Sequence, residues 1–139
     1  MDIRNQCSGF MYGLSVADQF IKTGMYDYVL VVGAEVHSTG LEFSDRGRDV
    51  TVIFGDAGAA AVIGVSDDPD KGILSTHLHA DGKGFKELWI EICSSNFMPR
   101  MTHERLDEGR SWPRMNGRNV FKNAVKCLPD VMEEALSAN

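Results

Sequence analysis

Tyr28-Val-Leu-Val-Val-Gly-Ala34 is the stretch on which the fold turns. It is a continuous apolar run rich in β-branched residues, the pattern of a strand buried on both faces. Upstream, residues 8–23 recur at helical spacing: Phe10, Leu14, Ala17 and Phe20 or Ile21 share one face, with Asp18, Gln19 and Lys22 off it. Ser8 fits the N-cap of that helix and Gly24 the glycine just past its end. Downstream, Val50 to Phe54 and Ala59 to Val65 read as further strands, and Asp67-Asp-Pro-Asp-Lys-Gly72 is strong turn chemistry. Ile73 to His79 and Leu88 to Ile92 read as two more strands. From Cys93 to Arg114 the pattern dissolves into a polar loop. Residues 116–137 return to helical spacing, with Phe121, Val125, Leu128, Met132 and Ala135 or Leu136 on one stripe. Pro129 falls inside it, removes a backbone donor and predicts a kink or a fresh start. The expectation is α/β, a mixed sheet packed by helices.

The chain has 139 residues, 14 Lys plus Arg against 20 Asp plus Glu, and a net charge of −6. With 43% hydrophobic and 24% charged residues it is of ordinary globular composition, and its length suits a single domain over 1–139. A pI near 5.1 argues against nucleic acid as a partner. No apolar stretch is long enough to cross a bilayer, and Met1 to Gln6 lacks the charged-then-apolar pattern of a signal peptide. Three cysteines without close pairing point to a reducing, cytoplasmic compartment.

Cys7 is the first candidate for chemistry. A short extended segment precedes it and the helix follows at once, so its sulfur faces free backbone N–H groups and the positive end of a helix dipole, which favour thiolate. Ser8 and Gly9 leave room for a ligand. The alternative is a buried structural cysteine. Cys93, at a strand end, and Cys127, on the apolar side of the last helix, read as packing. Phe54-Gly-Asp-Ala-Gly-Ala-Ala-Ala61 meets neither nucleotide-binding fingerprint, so Gly55 and Gly58 read as turn residues. His77 and His79 share a strand face with Asp81 two residues on, yet no further ligand is spaced to complete a metal site, and an ordinary strand face is the preferred reading. His37 and His103 are isolated loop histidines. Residues 99–122 carry six positive side chains (Arg100, Arg105, Arg110, Arg114, Arg118 and Lys122) against Glu104, Asp107 and Glu108. That local excess suits an acidic partner or phosphate, or simply a solvated loop.

Seven segments in one order carry a family resemblance: Asn5-Gln-Cys-Ser-Gly-Phe10, Leu14-Ser-Val-Ala-Asp-Gln19, Val31-Val-Gly-Ala-Glu35, Asp45-Arg-Gly47, Ile53-Phe-Gly-Asp56, Ser75-Thr-His-Leu-His-Ala-Asp-Gly82 and Met115-Asn-Gly-Arg-Asn-Val-Phe-Lys122. The chain resembles 3-oxoacyl-acyl-carrier-protein synthase III, a condensing-enzyme family of the thiolase superfamily. The resemblance implies a partial thiolase-like fold, the end of an N-terminal half plus the start of a C-terminal half. It implies that Cys7 is the nucleophile that takes an acyl group from acyl-CoA as a thioester, before decarboxylative condensation with a malonyl thioester on acyl carrier protein. The Cys7 N–H then forms part of an oxyanion hole. By the same resemblance Arg46 and Gly47 line the coenzyme A entrance, and Gly117 and Phe121 the wall of the pantetheine tunnel. Coenzyme A enters as substrate, with no permanently bound cofactor and no metal, and a homo-oligomer is expected. Family members are more than twice this length, and their catalytic His and Asn fall in a later segment. Arg48-Asp49 and the loop from Cys93 to Arg114 depart from the family pattern. Beside the reading as a fragment of an acyltransferase stands a non-catalytic module that binds an acyl carrier or completes a partner chain.

Overall fold

Helix α1 (Gly9–Lys22) and strand β1 (Tyr28–Glu35) open the computed structural model, which describes residues 1–139. They are followed by α2 (Arg48–Thr51), β2 (Ala57–Gly64), β3 (Leu88–Trp89), α3 (His103–Asp107), β4 (Arg114–Met115) and α4 (Gly117–Ala138). The residues form two compact units. One comprises Met1–Glu35, Ala57–His79 and Asp130–Asn139, the other Val36–Asp56 and Ala80–Pro129. The α/β reading holds, and both strand pairings within the chain are antiparallel.

In the first unit β1 and β2 pair from Tyr28 opposite Gly64 to Glu35 opposite Ala57, and α1 lies against them. Two glycines set how close the helix comes. A Cβ on Gly13 would lie 3.1 Å from Val31 Cγ1, and one on Gly33 would lie 3.0 Å from the Phe10 ring, so a methyl at either would push its neighbour back by a few tenths of an ångström. Helix α1 ends as its sequence predicts. Gly24 takes φ +68°, its N–H donates to the Ile21 carbonyl (2.9 Å), and the Met25 N–H donates to Phe20 (3.0 Å). At the other end Ser8 occupies the N-cap but its hydroxyl caps nothing; it accepts from Asn5 Nδ2 at 3.2 Å.

The expectation of a β1 buried on both faces is corrected. Val31 is buried beneath α1, whereas Tyr28, Leu30, Val32 and the facing Val62 are exposed on the opposite side. One helix covers one face of a two-stranded sheet, and no second layer lies within the unit. Ile73 to His79 is not a strand either. Its burial alternates with period two, but no neighbouring strand completes a ladder.

In the second unit the strand expected over Val50–Phe54 is instead α2 and the turn after it. The Gly47 carbonyl accepts from the N–H groups of Val50 and Thr51 (both 3.0 Å), and Thr51 Oγ1 donates to the Glu42 carbonyl (2.9 Å). A five-residue, mostly apolar run fits either structure by pattern, and these local bonds decide it. Leu88 to Ile92 pairs over only two residues, Leu88 with Met115 and Trp89 with Arg114. The Cys93–Arg114 loop contains α3, whose Thr102 cap accepts from the Arg105 N–H (3.3 Å). Helix α4 runs on through Pro129 without ending there. Its stripe of Phe121, Val125, Leu128, Met132 and Leu136 is exposed along its whole length, and so is Cys127. No helix is long and apolar enough to cross a membrane.

Candidate functional site

Cys7 sits two residues before α1 with φ +64°, a left-handed backbone that is costly for a residue with a Cβ. The turn is tied by the Ser8 N–H donating to Gln6 O at 2.7 Å, and the Cys7 N–H makes no hydrogen bond within the chain. The cysteine is exposed, so the buried structural reading falls. A thiol in this place is presented to solvent at the positive end of a 14-residue helix. Neither exposure nor strain is peculiar to it. Cys93 is also exposed with φ +74°, and Cys127 is exposed too, so the packing roles expected for those two are corrected. What sets Cys7 apart is the helix that starts beyond it.

Arg46 and Gly47 lie in the second unit and belong to one tight corner. Arg46 grips Glu42 through Nε (2.8 Å to Oε1) and Nη2 (2.6 Å), while Nη1 donates to the Asp107 carbonyl at 3.1 Å. The hydrogen bonds from Arg46 hold the Glu42 carboxyl below its ordinary value, and Glu42 in turn raises Arg46. A Cβ on Gly47 would collide with the Glu42 carbonyl oxygen, so only glycine fits where the chain folds back on itself. Gly109, with φ +68°, packs its backbone against the Arg46 guanidinium in the same way. Helix α2, which Gly47 caps, contacts β4, the short strand leading into Gly117. Gly117 is the first residue of α4, and Phe121 stands one turn on, about two-thirds exposed. The structure therefore gathers Arg46 and Gly47 at one corner and Gly117 and Phe121 on one helix; Cys7 belongs to the other unit.

Two features escaped the sequence reading. One is an open cleft of about 270 Å³ lined by Asp81, Lys83, Gly84, Glu87, Asn119, Lys122 and Asn123. Its walls come from segments more than 30 residues apart, joined by Asn119 Nδ2 donating to Glu87 at 3.2 Å, a contact that no local pattern announces. The other is the role of Asp56 in the glycine-rich Phe54–Ala61 segment. Its carboxylate accepts from the N–H groups of His37 (2.6 Å) and Ser38 (2.7 Å) and from the Ser38 hydroxyl (2.6 Å). Those bonds, the Ser38 hydroxyl first, keep its pKa low. The segment is structural, but the turn roles expected for its glycines are corrected: Gly58 lies within β2 opposite Ala34, and a Cβ at Gly55 or Gly58 would meet nothing within 4 Å. Half of the basic stretch is engaged internally. Arg110 pairs with Glu91 (2.6 Å) and Glu108 (3.3 Å), Arg105 donates to the Pro99 carbonyl (2.7 Å) and stacks on Phe97, and Arg114 donates to the Glu108 carbonyl (2.7 Å).

Residues 1–82 match the family model of 3-oxoacyl-[acyl-carrier-protein] synthase III, a span that includes Cys7, Arg46 and Gly47 and excludes Gly117 and Phe121. The whole chain is similar to beta-ketoacyl-[acyl-carrier-protein] synthase III of Alkalilimnicola ehrlichii, 41% identical over 138 residues, covering 99% of this chain and 40% of the relative. It is 45% identical over 139 residues to the protein of that name from Xanthomonas euvesicatoria, covering 100% of this chain and 40% of the relative. Among solved structures, the synthase III of Thermus thermophilus superposes with a TM-score of 0.80 at 33% identity, over 99% of this chain and 40% of that one. The 3-oxoacyl-[acyl-carrier-protein] synthase III of Aquifex aeolicus gives 0.80 at 36%, over 99% and 38%. The fold is accordingly part of a thiolase-like one, and the chain spans about 40% of the length of the relatives it matches. With the family model covering more than half of the residues and the likeness extending through α4, this chain belongs to the 3-oxoacyl-[acyl-carrier-protein] synthase III family.

Proposed function

We propose that these residues carry the acyl-accepting part of a decarboxylating Claisen-condensing acyltransferase, working in fatty-acid synthesis in the cytoplasm, with Cys7 as the nucleophile. The observation that carries this reading is the exposed Cys7, with its own N–H unpaired, immediately ahead of α1 in the family-matched segment. The Cys7 thiolate attacks the carbonyl carbon of an acyl-CoA; the acyl-sulfur bond to Cys7 forms, the bond to coenzyme A breaks, and the thiol of coenzyme A leaves with a proton. The free Cys7 N–H is a donor for the oxyanion that develops on the way. Arg46 is assigned to the phosphates of the entering coenzyme A, for which it must exchange part of its grip on Glu42. Gly47 lets the backbone approach, and Gly117 and Phe121 are assigned to the pantetheine wall. Coenzyme A serves as substrate, and acyl carrier protein delivers the malonyl thioester. The 139 residues form one partial thiolase-like domain in this reading.

The second reading is a module that completes another chain, and the bare α4 stripe from Phe121 to Leu136 favours it. One experiment separates the two. The chain is incubated with acetyl-CoA and its intact mass is measured, followed by peptide mapping. The expected result is one acetyl group on Cys7, none on Cys7→Ala, and no sustained turnover with malonyl carrier protein, because the family's His and Asn fall outside these residues. Loss of even one oxyanion donor typically costs about 10² to 10³ in rate. An unmodified Cys7 with normally folded protein leaves the module reading.

A further inference from the structure

Two histidines that the proposed chemistry does not use converge on one carboxylate. Glu134, on the last turns of α4, takes His77 Nδ1 on Oε1 at 2.9 Å and His79 Nε2 on Oε2 at 2.6 Å. On its far side, His77 Nε2 lies 2.8 Å from the hydroxyl of Ser75, and that hydroxyl also accepts from Asn139 Nδ2 at 2.7 Å. Asn139 Nδ2 donates to the Ala135 carbonyl as well, at 2.8 Å. A carboxylate has no proton to give, so His77 must carry its proton on Nδ1, and in the neutral ring Nε2 accepts from Ser75. Every side chain of the cluster then has a role. Ser75 is engaged on both sides, an arrangement that suits a brace rather than a free nucleophile.

The cluster holds the turns of α4 that follow Pro129. Residues 130–138 belong to the same compact unit as Ser75, His77 and His79, and Pro129 immediately before them lacks a backbone N–H. The apolar side chains of this stretch hold it poorly, since Met132 and Leu136 are 60% and 80% exposed. We propose that Glu134, His77 and His79 form an acid-released clasp that pins the final turns of α4 to residues 75–79, so that this segment opens locally, from Pro129 onward, when the clasp is undone.

His77 is the more enclosed of the two imidazoles, its side chain 15% exposed against 65% for His79, so it carries the larger share. Glu134 has other charged groups on its own element and on the neighbouring α1. Asp130 and Glu133 share its helix, and on α1 Asp18 pairs with Lys22 at 2.9 Å, while Lys22 Nζ reaches the Ile73 carbonyl at 3.4 Å. The bonds from His77 and then His79 hold the Glu134 carboxyl below its ordinary value. A carboxyl lowered by folding stabilises the folded form above its unfolded pKa and loses that effect as pH falls through the lowered one. The clasp is therefore closed at neutral pH and opens in acid.

Hydrogen–deuterium exchange on the full chain tests this, read as protection factors for the α4 end against α1, β1 and β2. Glu134→Gln is expected to cut protection of residues 131–138 by about tenfold, the scale of losing a hydrogen bond to a charged group at a partly exposed place. His79→Gln should cut it by only a few-fold. Protection in α1, β1 and β2 should stay unchanged in both, and the gap between wild type and Glu134→Gln should vanish below the carboxylate range. Unchanged protection of 131–138 in Glu134→Gln would overturn the clasp. So would an equal loss throughout α1, β1 and β2, which would make Glu134 a determinant of the whole unit and not of local opening.

Discussion

Three cysteines stand exposed in this chain, so access to solvent cannot rank them, and the left-handed backbone of Cys7 is shared by Cys93. The helix that begins just beyond Cys7 is the physical difference: its unpaired N–H groups and dipole favour an anion at that end. Cys127 sits in the middle of α4, where the dipole offers nothing. Under limiting iodoacetamide near pH 7, peptide mapping should find Cys7 labelled several-fold faster than either other cysteine. Faster labelling of Cys93 or Cys127 in the native chain would remove the basis for assigning the nucleophile. Cys7 was legible from its place before a helical pattern. Arg46 and Gly47 were legible only through the Asp45-Arg-Gly47 motif, because nothing in their spacing announces the Glu42 carbonyl folded over Gly47.

At the scale of elements, α1 and β1 emerge within a residue or two of their sequence pattern, and the reason is that each carries its own end signals. Gly24 is the clearest: its φ of +68° completes two hydrogen bonds that close the last turn of α1. Gly24→Ala places a Cβ in a left-handed conformation with no compensating contact, since nothing lies within 4 Å of the position. It should lower stability by about 1 kcal/mol, measured by urea denaturation with the slope unchanged. The elements that sequence reading misplaced are short or need a distant partner. Val50–Phe54 became the end of α2 and a turn because Gly47 and Thr51 anchor it, and Ile73–His79 stayed unladdered because no strand lies beside it; its side chains bond α1, Glu134 of α4 and Asn139, up to 64 residues away.

For the molecule as a whole, the buried apolar set is small: Ala17, Val31, Leu41, Val50 and Ile92. Against it stand an exposed sheet face at Tyr28, Leu30, Val32 and Val62 and the bare stripe of α4, a degree of apolar exposure uncommon in stable monomers. Two-stranded sheets also leave both outer edges free to pair. The isolated chain should self-associate, and light scattering across a concentration series should give a mass rising above 15.3 kDa. A constant 15.3 kDa would show that a monomer tolerates these faces. Its stability should also depend on pH with a definite sign. Glu42, Asp56, Asp68, Glu91 and Glu134 are all lowered by their hydrogen-bond donors in the folded chain. Each contributes above the ordinary carboxylate range of about 4 and ceases to as pH falls through its lowered value. The thermal midpoint should therefore be level near neutrality and fall steeply in acid; a midpoint that rises on acidification would contradict these pairings.

By itself the sequence determined what short-range physics controls: the span of α1 with its Gly24 stop, the strand at Tyr28, the helical spacing over 116–137, and a cysteine placed ahead of a helix, whereas the structure showed that the last helix continues through Pro129. Its motif order was enough to imply the family. Only the tertiary structure decided which faces of those elements are covered, that Arg46 is held by Glu42 and the Asp107 carbonyl, and that Glu134 gathers His77 and His79. The reason is separation along the chain. Periodicity and end signals act over one or two helical turns, whereas His77 and Glu134 stand 57 residues apart, and only folding brings such groups within hydrogen-bonding reach.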